Sequence, residues 1–165
     1  MSGTQDFSGF EVVRAAMEVE KSGHDFYAAM AEKALNPLAR ELFALLAQDE
    51  IGHLKTLERL LPKYQQGSYW DNEEEFLPYL RRFSASEIFP SAQRLAAVLQ
   101  NEAFDVEGLD LAIAAEEQFA TFFHKAAASA RDPEGKQAFA WLAGEEESHA
   151  RMLKERREKV VSSGA

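Results

Sequence analysis

Apolar positions recur at helical spacing in four long segments, about 8–34, 37–66, 105–131 and 133–160, and no stretch alternates convincingly as a half-buried strand would. In the second segment the seam runs Phe43, Leu46, Glu50, His53, Leu57 and Leu60, in steps of three and four; in the fourth it runs Phe139, Leu142, Glu146, His149 and Leu153. The first segment places Val13, Ala16, Met17, Glu20, His24, Tyr27 and Ala31 on one stripe. The third places Leu109, Ala112, Ile113, Glu116, Phe119 or Ala120, and Phe123 on another. The predicted fold class is all-α. Asn36-Pro37 and Asp132-Pro133 each set an N-cap side chain before a proline in the first helical turn, so each pair of helices is read as a tight antiparallel hairpin. Residues 67–104 between the pairs far exceed the roughly 2–8 residues that usually join neighbouring bundle helices. They must cross the bundle. This crossover holds Gly67, Pro78 and Pro90, the aromatics Tyr69, Trp70, Phe76, Tyr79, Phe83 and Phe89, and an apolar run from Leu95 to Leu99 that suits a short extra helix. Two hairpins joined by one long crossover predict a four-helix bundle, a single domain over residues 1–165.

The polar residues inside those apolar seams carry the chemistry. The segment Phe43 to His53 recurs as Phe139 to His149, shifted by 96 positions, and each copy ends in Glu-x-x-His. The same shift carries Glu20 onto Glu116, Ala16 onto Ala112, Phe26-Tyr27 onto Phe122-Phe123 and Asn36-Pro37 onto Asp132-Pro133. Every helix thus has one carboxylate in its seam. A buried, unpaired carboxylate costs several kcal/mol, and four converging ones repel each other, so a cationic partner is required. Two divalent cations would cancel the charges of Glu20, Glu50, Glu116 and Glu146 and leave His53 and His149 as neutral nitrogen ligands. A lone Glu-x-x-His is a weak signal in so acidic a chain; two copies in register, each with its own Glu partner, are a strong one. His24 has Ala120 as its counterpart and His124 has no seam partner, so both are read as core-edge or surface histidines. Tyr27 lies two turns from Glu20 on the same face and reads as a packing residue, with a hydroxyl placed to serve as a donor or electron relay near a metal site.

Composition narrows the ligand chemistry. The 165 residues are 46% hydrophobic, enough for one core. A net charge of −10 lacks the basic stripe that neutralises phosphates, which argues against nucleic acid as a partner. With no cysteine there is no disulfide framework, thiolate zinc site or iron–sulfur cluster. Oxygen and imidazole ligation then suits iron first, with manganese or zinc as alternatives. The first residues have neither the basic start nor the apolar run of a signal peptide, and no apolar stretch approaches the roughly 18 residues of a membrane span, so a cytoplasmic location is expected.

At these residues the chain resembles the rubrerythrin family, specifically the diiron, erythrin-type domain of the ferritin-like superfamily, across all four core helices. The family pattern of Glu, Glu-x-x-His, Glu and Glu-x-x-His falls on Glu20, Glu50 with His53, Glu116, and Glu146 with His149. The resemblance implies that Glu50 and Glu146 bridge two metals, that Glu20 and Glu116 are each terminal on one, and that His53 and His149 each cap one. It also implies that Asp49 hydrogen-bonds His149 and that Glu145 hydrogen-bonds His53, fixing the imidazole tautomers. The implied activity is reduction of hydrogen peroxide or dioxygen at a diiron pair, with electrons from a separate donor such as a rubredoxin-like protein. Two departures qualify the match. The chain lacks the cysteine-ligated domain of full-length rubrerythrins, and Phe119 stands where the family has an additional Glu that exchanges with a histidine on reduction. Ferroxidase or iron-handling activity is the alternative function. A structural module, whose exposed crossover aromatics bind a partner subunit, is the third. An apolar crossover patch would suit a homodimer; folded onto its own bundle, the same segment would suit a monomer.

Overall fold

In the computed structural model, which describes residues 9–64 and 73–163, every element is a helix: α1 (Gly9–Lys33), α2 (Pro37–Tyr64), α3 (Glu73–Ala85), α4 (Ala92–Val98), α5 (Phe104–Ser129) and α6 (Pro133–Ser162). No strand occurs among the described residues, and none of their helices is long and apolar enough to cross a membrane. The long helices begin and end within a few residues of the predicted bounds.

Residues 34–36 turn α1 back onto α2, and residues 130–132 turn α5 back onto α6; each helix packs most extensively on its neighbour across that turn. Capping chemistry explains why the turns are so short. Asn36 Oδ1 accepts from the backbone N–H of Leu38 at 2.8 Å, and an Asp132 carboxylate oxygen accepts from that of Gly135 at 2.7 Å, with Pro37 and Pro133 opening the helices. Asp132 also accepts from the Tyr64 hydroxyl at 2.6 Å, tying the last turn of α2 to the start of α6. At the opposite end the Asp105 carboxylate accepts from the backbone N–H groups of Leu35 and Asn36. The two pairs meet chiefly along α2 and α6, the helices that carry both Glu-x-x-His motifs.

The crossover departs from the prediction. Its short helix is present as α4, but residues 73–85, for which no element was predicted, form α3 with Pro78 inside it. Proline inside a helix costs about 3 kcal/mol. Phe76, Leu80 and Phe83, spaced as one helical face, are all at most 6% exposed, and burying each contributes about 1.5–3 kcal/mol. Burial outweighs the proline. The Phe83 ring stacks on Phe122 of α5 at 4.2 Å, and Phe76 lies 6.2 Å from the same ring. Of the two alternatives for the crossover aromatics, Phe76, Phe83 and Phe89 follow the one in which they are buried against their own bundle; Tyr69 and Trp70 lie outside the described residues.

The α1 stripe is also displaced from its predicted course. Gly23, not His24, occupies the buried line between Glu20 and Tyr27. A Cβ at Gly23 would come within 2.9 Å of the Phe89 ring, so the missing side chain is what admits the crossover there. His24 is displaced to the rim, where its Nδ1 lies 3.1 Å from Asp25 Oδ1. Met17, Ala31 and Ile113 are only partly buried.

Candidate metal centre

Six side chains from four helices converge in the middle of this core: Glu20 from α1, Glu50 and His53 from α2, Glu116 from α5, Glu146 and His149 from α6. The four glutamates are fully buried, and the two histidines are at most 2% exposed. Among the described residues no lysine or arginine is buried with them. His53 Nδ1 lies 3.5 Å from Glu20 Oε2 and 3.3 Å from Glu146 Oε1. His149 Nδ1 lies 2.9 Å from Glu116 Oε2, 3.4 Å from Glu146 Oε1 and 3.7 Å from Glu50 Oε1. The two imidazoles stack at 5.2 Å, with 19° between their planes.

The Nε2 atoms point the other way. His53 Nε2 lies 3.2 Å from Glu145 Oε1, and His149 Nε2 lies 3.1 Å from Asp49 Oδ2, each contact spanning from one helix pair to the other. Asp49 and Glu145 reach solvent, with side chains 38% and 36% exposed. An ionised carboxylate only accepts, so each Nε2 carries the proton, and a neutral ring then turns its Nδ1 lone pair inward. Tyr27 adds one more polar contact: its hydroxyl donates to Glu116 Oε2 at 2.9 Å. Phe26, Phe43 and Phe89 surround the phenol ring, all at most 3% exposed.

The electrostatics show what is missing from the protein atoms alone. Both oxygens of Glu20, Glu50 and Glu146, Glu116 Oε1 and His53 Nδ1 are buried without a hydrogen-bond partner. Native proteins satisfy nearly all such groups. Burial, reinforced by the Glu116 charge, raises the Glu20 carboxyl from 4.5 to about 8. Burial and the neighbouring carboxylates hold Glu50 and Glu146 well above the usual carboxylate range. Burial and the Glu116 charge keep the Tyr27 phenol protonated far above its ordinary range. Burial works against a charged His149 ring, yet the hydrogen bond and charge of Glu116 outweigh it and raise its pKa. Without a metal, protons must hold these groups together; a cation does so with better geometry.

The donor set fits two such cations. Glu20, Glu50, His53 and Glu146 offer ligand atoms all within 4.8 Å of one another, and Glu50, Glu116, Glu146 and His149 offer a second set. Glu50 and Glu146 belong to both. The structure thus brings together all six residues singled out as ligands and places Asp49, Glu145 and Tyr27 directly against them. His24 and His124 stand apart; His124 Nε2 lies 3.1 Å from Glu147 Oε2 at the surface. Sequence reasoning missed Trp141, whose ring meets His53 edge-on at 5.7 Å. The available signal was its repeat alignment with Leu45, each lying two positions beyond a seam phenylalanine, Phe139 and Phe43, and so off the buried seam.

These residues define a helical protein with a buried, carboxylate-rich cluster whose groups could hold two metal ions. The rubrerythrin family model matches residues 11–157, and the chain belongs to the rubrerythrin family, whose domain carries a diiron site. No curated protein and no solved structure matches the chain.

Proposed function

We propose that this protein reduces hydrogen peroxide or dioxygen at a pair of iron ions, using electrons from an external donor. The observation that carries this reading is the sharing of Glu50 and Glu146 between two buried four-residue groups of candidate ligands, an arrangement that would suit two cations side by side. When bound, two adjacent iron ions supply one electron each to cleavage of an O–O bond. The chain's own residues do the rest. Glu50 and Glu146, common to both groups, would hold both ions, and Glu20 with His53, and Glu116 with His149, would each hold one. Glu145 and Asp49, each against an Nε2, would hold the imidazoles in the tautomer whose Nδ1 is free to ligate. The Tyr27 hydroxyl keeps its proton and fixes Glu116 Oε2. Complete burial of the carboxylates excludes bulk water and strengthens each charge interaction.

In the same reading α1–α2 and α5–α6 are the antiparallel hairpins of a ferritin-like four-helix bundle, with α3 and α4 in its crossover, and the single domain works in the cytoplasm. The test is metal content per chain on protein purified without chelator, then anaerobic reduction and one equivalent of hydrogen peroxide, followed by absorbance. Two iron atoms and rapid stoichiometric reoxidation support the reading; two zinc atoms or slow reoxidation would reject it. A second reading, ferroxidase or iron handling, draws on the net charge of −10, which attracts cations. It requires more than two iron atoms per chain after aerobic loading.

A further inference from the structure

The walls of the metal centre differ in thickness. Behind Glu116 stands Tyr27, itself enclosed by Phe26, Phe43 and Phe89. On α5 the rings of Phe119, Phe122 and Phe123 are all fully buried. Along α2 and α6, by contrast, the histidines have neighbours that touch solvent. Trp141 is 50% exposed, and its indole meets the His53 ring at 5.7 Å with 85° between the planes. The other edge of that imidazole presents Nδ1 to Glu20 and Glu146. One aromatic side chain therefore spans from solvent to a ligand ring. The position equivalent to Trp141 in the first half is Leu45, 46% exposed and aliphatic.

Resting on the electron-accepting reading above, we propose that Trp141 is the docking contact for the external donor, and that electrons arrive on the His53 side of the centre rather than the His149 side. The occupant is a small protein carrying a one-electron redox centre near its surface. The chain has no cysteine with which to hold an iron–thiolate centre of its own, so the reductant lies outside these residues. The surface suits it. A hollow of about 380 Å³ beside Trp141 is lined by the apolar Leu60 and Ala138 and by the polar Thr56, Arg59, Glu134 and Gln137. Tryptophan is among the residues most often found at the energetic centre of an interface, where an apolar contact is ringed by polar groups. On a chain of net charge −10, Arg59 gives an acidic side chain of the carrier a partner. Each encounter oxidises one carrier by one electron; two encounters supply the two electrons that, with two protons from water, convert one hydrogen peroxide to two waters.

Two measurements test the assignment, with rubredoxin as the probe carrier. In zinc-loaded protein labelled with ¹⁵N-tryptophan, the indole N–H signal that disappears in Trp141→Phe shifts when oxidised rubredoxin is added. In iron-loaded, oxidised protein, Trp141→Ala slows oxidation of reduced rubredoxin by at least about tenfold. Dithionite meanwhile reduces variant and wild type at equal rates, and Leu45→Ala stays near wild type. An unmoved indole signal with normal wild-type reduction overturns the Trp141 assignment alone. Equal slowing with dithionite also overturns it, because the substitution would then have disturbed the centre itself. A wild-type protein that accepts electrons from neither reductant overturns the redox reading together with this one.

Discussion

The two halves of the repeat supply identical ligand types but unequal surroundings. In the second half Glu116 Oε2 accepts from the Tyr27 hydroxyl at 2.9 Å and lies 2.9 Å from His149 Nδ1. In the first half its equivalent, Glu20, has neither oxygen satisfied, and its nearest imidazole nitrogen is 3.5 Å away. The cause is one substitution within the repeat: the residue equivalent to Tyr27 is Phe123, which has no hydroxyl to offer. The surface breaks the symmetry again, with Trp141 against His53 and Leu45 at the equivalent place. A symmetric ligand set therefore need not make two equivalent metal positions. The residues one layer outside the candidate ligands differ between the two positions, Tyr27 against Phe123 and Trp141 against Leu45.

The largest effect should come from removing a residue that both halves share. Glu50→Ala or Glu146→Ala takes a carboxylate from both ligand groups at once, so metal analysis should find less than one ion per chain and peroxide should no longer reoxidise reduced protein. The bundle should remain folded, because each substitution also removes a buried charge. Glu20→Ala and Glu116→Ala each touch only one group and should leave about one ion of the expected two. Unchanged turnover in the Glu50 or Glu146 variants would refute the assigned centre.

The next effect concerns the protein stripped of metal. Glu20 titrates at about 8 in the folded chain against an ordinary value of 4.5, so between those pH values the folded state holds a proton that the unfolded state has released. Stability is then fully present below pH 4.5 and is lost as pH rises toward 8, by on the order of a few kcal/mol. Glu50 and Glu146 shift in the same direction. Denaturant titrations of chelator-treated protein at several pH values should show this decline, and metal-loaded protein should not. Stability that rose over the same range would contradict four buried carboxylates sharing one cavity.

How much of this was legible in the sequence depended on periodicity. Glu50 and His53 follow Phe43 and Leu46 in one unbroken seam, so their inward placement could be read directly, and the second copy supplied the facing ligands. What failed had no periodic signal or had a contrary one. No element was predicted over residues 73–85, because Pro78 interrupts the segment and the face made by Phe76, Leu80 and Phe83 is stable only with a partner such as Phe122 opposite. Gly23 and His24 are adjacent candidates for the α1 seam, and the choice between them was made by Phe89, some 66 positions away in the chain. Such contacts are set by tertiary packing and leave no trace in local pattern.

The asymmetry itself can be exchanged between the halves. Tyr27→Phe deletes the hydroxyl that fixes Glu116; losing one such contact to a metal-binding group typically costs about 10–100-fold in metal affinity. The loss should fall on the ion held with His149, read as one of two dissociation constants weakening while the other stays put. Phe123→Tyr, at the equivalent place beside the first half, should bring the two constants closer together. If Tyr27→Phe weakened both ions equally, the halves would be coupled too tightly for the comparison to hold.

The smallest effect is expected where the repeat differs most obviously in sequence. His24 has Ala120 as its equivalent and His124 is a second unmatched histidine, so by residue type alone they look like the main difference between the halves. The structure places both at the periphery, against Asp25 and Glu147, away from the six converging side chains. His124 contacts the residue immediately after the ligand Glu146, which makes it the sharper test of the two. Surface pairs of this kind contribute little, and substitutions outside core, cap or metal features usually change stability by less than about 0.5 kcal/mol. His24→Ala and His124→Ala should therefore bind the same number of metal ions as wild type and melt within a few degrees of it. Loss of an ion in His124→Ala would mean that the imbalance between the halves lies in the ligands after all, and that Tyr27 and Phe123 are not its source.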